Sequence, residues 1–398
     1  MLYHRRPEEF PLQSPALKVQ GSTLPPQPST LSLTSLRLRD FRCFPSLSCA
    51  LGGDTTIFTG DNAQGKTSIL EAVCVLLRLQ SPRTSHGREL ARFGSDGFGI
   101  AGTLNGQDLT HTTSGADKNL LVGGEPARRT ADYLAASGLV VWMGNGDLEL
   151  VSGTGEPRRR YLDFLGSQLF PEYRSALRSY EKALRQRNFL LKRDASPPWQ
   201  EIDAYTAVLV PHGQKLLELR ATLLQKLAPH AAAAHAAIRA ADPGSATPET
   251  LSLTWNPGGD ASDLTAQLLE RRAEESRRRM TLCGPHRDDF LSALDSLPAS
   301  TFASEGQQRT IALALKLAQA TLLHKARQQS PILLLDDIFG ELDPHRRNAL
   351  LAALPVDSQK LITTTHLGWL DTQPIAAQRY QVNAGAISLD RTKIITSI

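Results

Sequence analysis

Gly60-Asp61-Asn62-Ala63-Gln64-Gly65-Lys66-Thr67-Ser68 fits the pattern G-x-x-x-x-G-K-[ST], in which a glycine-rich loop cradles nucleotide phosphates. Gly60 and Gly65 permit a tight turn, so that the backbone N–H groups of Asp61, Asn62, Ala63 and Gln64 point into one concavity. Lys66 is placed to reach the β- and γ-phosphates, and the Thr67 hydroxyl suits Mg²⁺. The flanks agree with this reading. An extended, β-branched run, Thr55–Thr59, feeds the loop, and an apolar helical stretch beginning at Ser68 leaves it. Phosphates would then sit at a helix N-terminus. The stretch therefore predicts a bound nucleoside triphosphate.

The 398 residues, 41% hydrophobic and 21% charged, suffice for two domains and a sizeable core. No apolar run approaches the ~18 residues of a membrane span, which argues against a membrane partner. The first residues lack the apolar core of a secretory signal. Cys43, Cys49, Cys74 and Cys283 form no CxxC pair and three of them lie in apolar stretches that read as core, so buried free thiols in a reducing cytoplasm are expected as the default. Residues 1–30 hold six prolines and no periodicity, the composition of a disordered extension.

β-patterning begins at Leu31. Phe98–Leu104 and Leu109–Thr113 read as an antiparallel hairpin with Asn105-Gly106 at its turn. From Tyr161 to Arg279 the pattern is helical, with one amphipathic stretch from Ser167 to Arg193 and further helix over Ile202–Leu227 and His230–Ala241. After Pro285 the α/β pattern returns. The expected organisation is an α/β nucleotide-binding domain over residues 31–163 and 281–398, interrupted by a helical arm over residues 164–280.

Ile332–Leu335 is a continuous apolar strand ending in Asp336 and Asp337, as in a parallel sheet covered on both faces. Carboxylates at the C-terminal end of such a strand lie where open α/β sheets bind ligands. Asp336 is expected to hold Mg²⁺, directly or through an intervening ligand, and Asp337 to orient or deprotonate the attacking water. Two acids closing a strand can also begin a solvated loop; the intact P-loop favours the catalytic reading. His366 follows the strand Leu361–Thr365 and is placed to hydrogen-bond a γ-phosphate, although a lone histidine there is often structural. Ser304 is a fair N-cap for the helix over Thr310–Ala326, about thirty residues before the acidic strand end.

The chain resembles the RecF family of recombination-mediator ATPases, relatives of SMC and ABC proteins. The matching segments run along most of residues 31–370. They are Asp40–Phe44, the P-loop Gly60–Ser68, Arg83–Ser85 with Glu89-Leu90, Asp147–Val151 with Arg158–Asp163, Gly284–Asp289, Ser304–Arg309 and Asp336–Asp343. The Gly284-Pro285-His286-Arg287-Asp288-Asp289 run is highly specific to that family. There are departures: Asn145-Gly146 stands where the family usually has Pro-Glu, and Gly155 where it has proline.

The resemblance implies an ABC/SMC-like P-loop ATPase head with an inserted helical arm. It implies ATP and Mg²⁺ as cofactors, and a head-to-tail, ATP-dependent homodimer in which Ser304, Gly306 and Gln307 of one subunit meet nucleotide held by the other. Arg42 is expected to approach that nucleotide. The implied activity is a weak, DNA-stimulated ATPase acting in DNA repair, replication and the SOS response. RecR and RecO are its implied partners, double-stranded or gapped DNA its substrate surface, and a cytoplasmic, nucleoid-associated location its setting. Asp337 accords with slow hydrolysis, since transport ATPases carry the longer Glu at that position.

Charge patterning points to DNA as well. Between Glu156 and Arg193 there are ten Lys/Arg against four Asp/Glu. Arg174, Arg178, Lys182, Arg185 and Lys192 recur at helical spacing on one face, which suits phosphate contacts without base reading. Arg271, Arg272 and Arg277–Arg279 form a second cluster. Such runs are often only solvated faces. A transport ATPase, an SMC-like structural tether and a non-hydrolysing nucleotide-gated platform are the alternative readings. The long helical insertion disfavours the first, and the absence of long coiled-coil arms disfavours the second.

Overall fold

A computed structural model describes residues 30–193, 196–240, 249–371 and 376–390. The extension expected over residues 1–30 lies outside the described residues apart from Thr30. The chain opens with β1 (Leu33–Phe41), β2 (Phe44–Ala50) and β3 (Thr55–Thr59), and the P-loop then leads into α1 (Lys66–Arg78). Next come β4 (Gly97–Leu104), β5 (Gln107–Ser114), β6 (Asp117–Val122), β7 (Glu125–Pro126), α2 (Thr130–Ala136) and β8 (Val140–Gly144). Asn105 and Gly106 both take positive φ, 50° and 80°. That is the turn whose twist matches a two-residue hairpin, as the Asn-Gly pair predicts.

The helical part holds α3 (Glu149–Ser152), α4 (Gly155–Leu169), α5 (Tyr173–Arg193) and α6 (Trp199–Ala240), then β9 (Leu251–Asn256), α7 (Leu264–Glu270) and α8 (Arg272–Arg278). The remainder is β10 (Asp289–Leu294), β11 (Leu297–Pro298), α9 (Ala299–Phe302), α10 (Glu305–Arg327), β12 (Ile332–Asp336), α11 (Pro344–Ala353), β13 (Lys360–Thr364), β14 (Gln378–Asn383) and β15 (Ala386–Leu389).

Two six-stranded sheets sandwich α1. One is antiparallel in the order β2-β1-β4-β5-β6-β7; the other runs β15-β14-β3-β13-β12-β8, parallel except for β15. Every residue of α1 except Thr67 is buried, so the helix that carries the P-loop lysine is fixed on both sides. A three-stranded sheet, β11-β10-β9, completes the frame. Among the described residues, no helix is long and apolar enough to cross a membrane.

The helical region departs from the sequence reading in two places. The stretch expected as one helix from Ser167 to Arg193 is broken over residues 170–172. Pro171 ends the helix there: it has no N–H to donate and holds the preceding Phe170 extended, at φ −110° and ψ 118°, and the Tyr173 ring then packs on Gly166, where a Cβ would lie 2.5 Å from Tyr173 Cε2. Beyond Pro198, the two expected helices form one 42-residue helix that contains Pro211 and Pro229. That helix is shared between two cores. Leu209, Leu216, Leu217 and Leu219 pack with Tyr173 and Tyr180 of α5, whereas Leu223, Leu224, Leu227, Ala231 and Ile238 belong to the large core of the nucleotide domain. The 164–280 segment is thus not one separately packed unit.

Candidate nucleotide site and basic surface

The P-loop glycines are required by contact as well as by conformation. Gly60 has φ of 149° and Gly65 of 105°. A Cβ on Gly60 would lie 2.3 Å from the Val382 carbonyl oxygen, and one on Gly65 would lie 2.7 Å from Cys43 Sγ. The Gln64 side chain pins the loop from outside, its Oε1 accepting from the Ala384 N–H at 2.6 Å. Lys66 Nζ donates to the carbonyls of Gly60 (2.6 Å) and Asp61 (2.7 Å) across the mouth of the loop. Burial lowers its pKa, and the nearby carboxylates of Asp337, Asp336 and Asp61 oppose that shift.

Strand order brings the second half of the site to the loop. β12 lies between β13 and β8, with Asp336 in register with Thr363 and Gly144. Asp336 Oδ1 accepts from Thr67 Oγ1 and from Thr363 Oγ1, each at 2.8 Å. Burial raises the Asp336 pKa, while these two hydroxyl donors hold it down. Asp337 sits in the left-handed region at φ 52°, held by its N–H to Thr363 Oγ1 at 3.0 Å. Its buried Oδ1 has no hydrogen-bond partner among the described residues. A Cβ at Gly340 would lie 3.6 Å from Asp337 Oδ1 and 4.0 Å from His366 Cε1, so carboxylate and imidazole both border Gly340. His366 itself is exposed.

These residues suit ATP and Mg²⁺. They supply a concave N–H cradle, an ammonium at its mouth, a hydroxyl–carboxylate pair of the hard-oxygen kind that Mg²⁺ takes, and a buried carboxylate oxygen with no hydrogen-bond partner among the described residues.

The Ser304–Arg309 segment, expected to meet the nucleotide of a second subunit, is tethered within its own subunit. Ser304 caps α10, its Oγ accepting from the Gln307 N–H (3.3 Å) while Gln307 Oε1 accepts from the Ser304 N–H (2.8 Å), a reciprocal capping box. Gln307 Nε2 donates to Glu249 Oε1 at 2.7 Å. A Cβ on Gly306 would meet Arg346 Nη1 at 2.6 Å. Arg309 and Asn145 both bond Glu341, which ties the start of α10 to the loop after β12 and to the end of β8. Among the described residues, no hydrogen bond joins Ser304, Gly306 or Gln307 to the P-loop of the same chain.

Other expected residues are placed differently. Arg42, expected near the nucleotide, donates to the fully buried Glu71 through Nε (2.9 Å) and Nη2 (2.7 Å), and to the Glu89 carbonyl. Arg174, expected on the open basic face, is half-buried and donates to the carbonyls of Arg78 (2.7 Å) and Leu79 (3.2 Å) at the end of α1. Burial, then the neighbouring Arg178, pulls its pKa down to about 10. Arg178, Lys182 and Arg185 remain exposed. In the second cluster, Arg272 pairs with Asp203 and lies over the Trp199 ring, and Arg278 pairs with Glu274.

Sequence reasoning missed Thr363, which is one more polar residue in a strand until the register sets it beside Asp336. It also missed the work of the Gly284–Asp289 run, which forms the joint between arm and nucleotide domain. There Arg220 of α6 donates to Asp288 Oδ2 (2.8 Å), the Pro285 carbonyl (2.6 Å), Asp163 Oδ1 (2.6 Å) and Tyr173 Oη (2.9 Å). Arg158 grips Asp289 at 2.6 and 2.9 Å, and His286 Nδ1 shares a 2.6 Å hydrogen bond with Tyr180 Oη.

Comparison with known proteins follows the same lines. Residues 35–119 match the AAA domain family. The chain is 38% identical over 380 residues to the DNA replication and repair protein RecF of Synechococcus sp. (strain JA-2-3B'a(2-13)), covering 90% of this chain and 98% of that one. It is 40% identical over 378 residues to RecF of Thermosynechococcus vestitus, covering 89% and 97%. A solved structure of the recombination mediator protein RecF with ATP, from the RecFOR pathway, superposes with a TM-score of 0.79 at 25% identity, over 91% of this chain and 98% of that one. The Smc head domain of Pyrococcus yayanosii shares the fold, with a TM-score of 0.52 at 12% identity over 92% and 98%.

Proposed function

The chain belongs to the RecF family of DNA replication and repair proteins, and from that premise we propose an ATP-driven DNA clamp of recombinational repair. Lys66 and the P-loop amides hold the triphosphate. Thr67 and Asp336 hold Mg²⁺, which neutralises phosphate charge when bound. Asp337 orients or deprotonates the attacking water, and His366 hydrogen-bonds the γ-phosphate. Ser304, Gly306 and Gln307 close on the nucleotide of a second subunit, so that ATP favours a head-to-tail dimer; a ligand that binds the dimer better than the monomer must promote dimerisation. Slow hydrolysis loosens it. The dimer holds duplex DNA near gaps or junctions and, with RecR and RecO, helps load recombinase.

What supports this reading is the convergence of the Thr67 and Thr363 hydroxyls on Asp336 Oδ1 in a subunit whose Ser304, Gly306 and Gln307 make no described hydrogen bond to its own P-loop. The test is sedimentation with ATP and Mg²⁺, with and without duplex DNA, for the parent, Lys66→Met and Ser304→Arg. Dimers that need ATP and vanish in both variants are expected. A protein that binds ATP yet stays monomeric would refute the clamp. A turnover assay with DNA separates it from a non-hydrolysing platform, which would bind ATP and DNA and release no phosphate.

A further inference from the structure

Three consecutive side chains of the Ser304–Arg309 segment are turned back into their own subunit. Gln308 Nε2 donates to the carbonyls of Ala299 (3.3 Å) and Ala303 (3.1 Å), and Arg309 pairs with Glu305 and Glu341. Gln307 is held at both ends of its amide: its Oε1 takes the Ser304 N–H, and its Nε2 donates to Glu249 Oε1. These partners fix which way round the amide stands, since a backbone N–H only donates and an ionised carboxylate only accepts. Gly306 and Gln307 are half-buried, whereas Ser304 and Glu305 are exposed.

Glu249 belongs to a different part of the fold. It stands just before β9, and its Oε1 also accepts from Arg239 Nη2, in the last turn of α6, at 3.2 Å. The other oxygen, Oε2, is buried and has no hydrogen-bond partner among the described residues, so Arg239 and Gln307 converge on one atom. The first half of α6 packs in the arm and the second half in the nucleotide domain, where it lies against α10. The chain Arg239–Glu249–Gln307 therefore ties the far end of the arm helix to the first turn of α10. Hydrogen bonds to an ionised carboxylate are among the stronger ones a side chain makes. Swinging the Gln307 amide out towards a second subunit would break that bond and the capping box together.

We infer that Gln307 is a positioning residue rather than a nucleotide contact: it braces the N-terminus of α10 against Glu249, so that Ser304 and Gly306 are presented to the nucleotide of the second subunit. The inference rests on the proposed clamp and deepens it, since it separates the residues of the closing segment that touch nucleotide from the one that aims them. Because Glu249 is shared with Arg239, the setting of α6 bears on the angle at which the segment is offered.

Exchanging the two groups separates bracing from contact. Sedimentation of the full chain over an ATP series with Mg²⁺ gives the ATP concentration at half-dimerisation. Gln307→Glu keeps an acceptor for the Ser304 N–H, as a capping box allows, but sets two carboxylates against each other. Its midpoint should rise about tenfold or more. In Glu249→Gln a carbonyl oxygen still accepts from Gln307, so ATP binding by the monomer should match the parent and the midpoint should move by about threefold at most. The double variant restores a donor and an ionised acceptor with their places exchanged, and its midpoint should return to within about threefold of the parent. Melting temperatures near the parent's place these changes in dimerisation rather than in folding. Should Gln307→Glu alone fail to fold, recovery of fold and midpoint in the double variant supports the brace equally. A dimerising parent whose double variant stays as impaired as Gln307→Glu would overturn the brace, because the nucleotide would then require a neutral amide at position 307. A Gln307→Glu variant with the parent's midpoint would overturn it too. A parent that stays monomeric at every ATP concentration would overturn the clamp, and the brace with it.

Discussion

Replacing Arg220 with leucine removes the cation that joins the arm to the nucleotide domain, and the structure sets the size of the effect. Arg220 is 2% exposed and serves Asp288, Asp163, Pro285 and Tyr173 at once. Asp288 is fully buried, and without Arg220 its remaining described donor is the Gly258 N–H at 2.7 Å. An uncompensated buried charge costs about 3–5 kcal/mol. Burial already raises the Asp288 pKa, with Arg220 opposing the rise, so the variant's Asp288 must titrate higher still. A carboxyl whose folded pKa is raised stabilises the fold below its unfolded pKa, ~3.9, and loses that contribution as pH climbs through the folded pKa. The deficit of the variant is therefore largest at alkaline pH and shrinks on acidification, by about 1.4 kcal/mol for every pH unit that the loss of Arg220 adds to the folded pKa. Urea unfolding at pH 8 and pH 5.5, followed by fluorescence of the partly buried Trp255 on β9, measures both quantities. A deficit below about 1 kcal/mol at pH 8, or one that fails to shrink at pH 5.5, would refute the reasoning. ATP affinity should survive the substitution while DNA affinity falls, because the joint orients the arm and leaves the P-loop untouched.

Three further outcomes follow from the nucleotide site. Asp337→Asn should lower phosphate release by about 10²–10⁴-fold, the range for a lost general base, with ATP binding retained; unchanged turnover would exclude the role. Because burial raises Asp336, protonation should weaken Mg²⁺-dependent ATP binding at a higher pH than an exposed aspartate, ~3.9, would allow, which titration of ATP affinity against pH detects. Gly65→Ala places a methyl 2.7 Å from Cys43 Sγ at φ 105°, an overpacked and strained position worth about 1–3 kcal/mol. Calorimetry should show a lower melting temperature together with lost ATP binding.

Contiguous motifs were legible in the sequence because a few neighbouring residues fix their backbone. The P-loop between β3 and α1, the Asn105-Gly106 turn and the Ser304 cap are all of this kind. The apolar run ending in Asp336 also declared itself, since only a strand covered on both faces is apolar throughout. The helix expected across residues 170–172 failed at Pro171, a local breaker that the amphipathic pattern running over it outweighed.

Long-range pairing needed the tertiary structure. Arg220 lies 57 residues from Asp163 and 68 from Asp288, and charge counting cannot distinguish it from Arg178 on a solvated face. Thr363 gains its role from register with Asp336 alone. Which arginines meet carboxylates and which meet carbonyls depends on where helices end against one another. By itself, then, the sequence determined the phosphate cradle, the acidic strand end and the family; the packing of elements far apart in the chain decided which charges are neutralised and which are left to act outward.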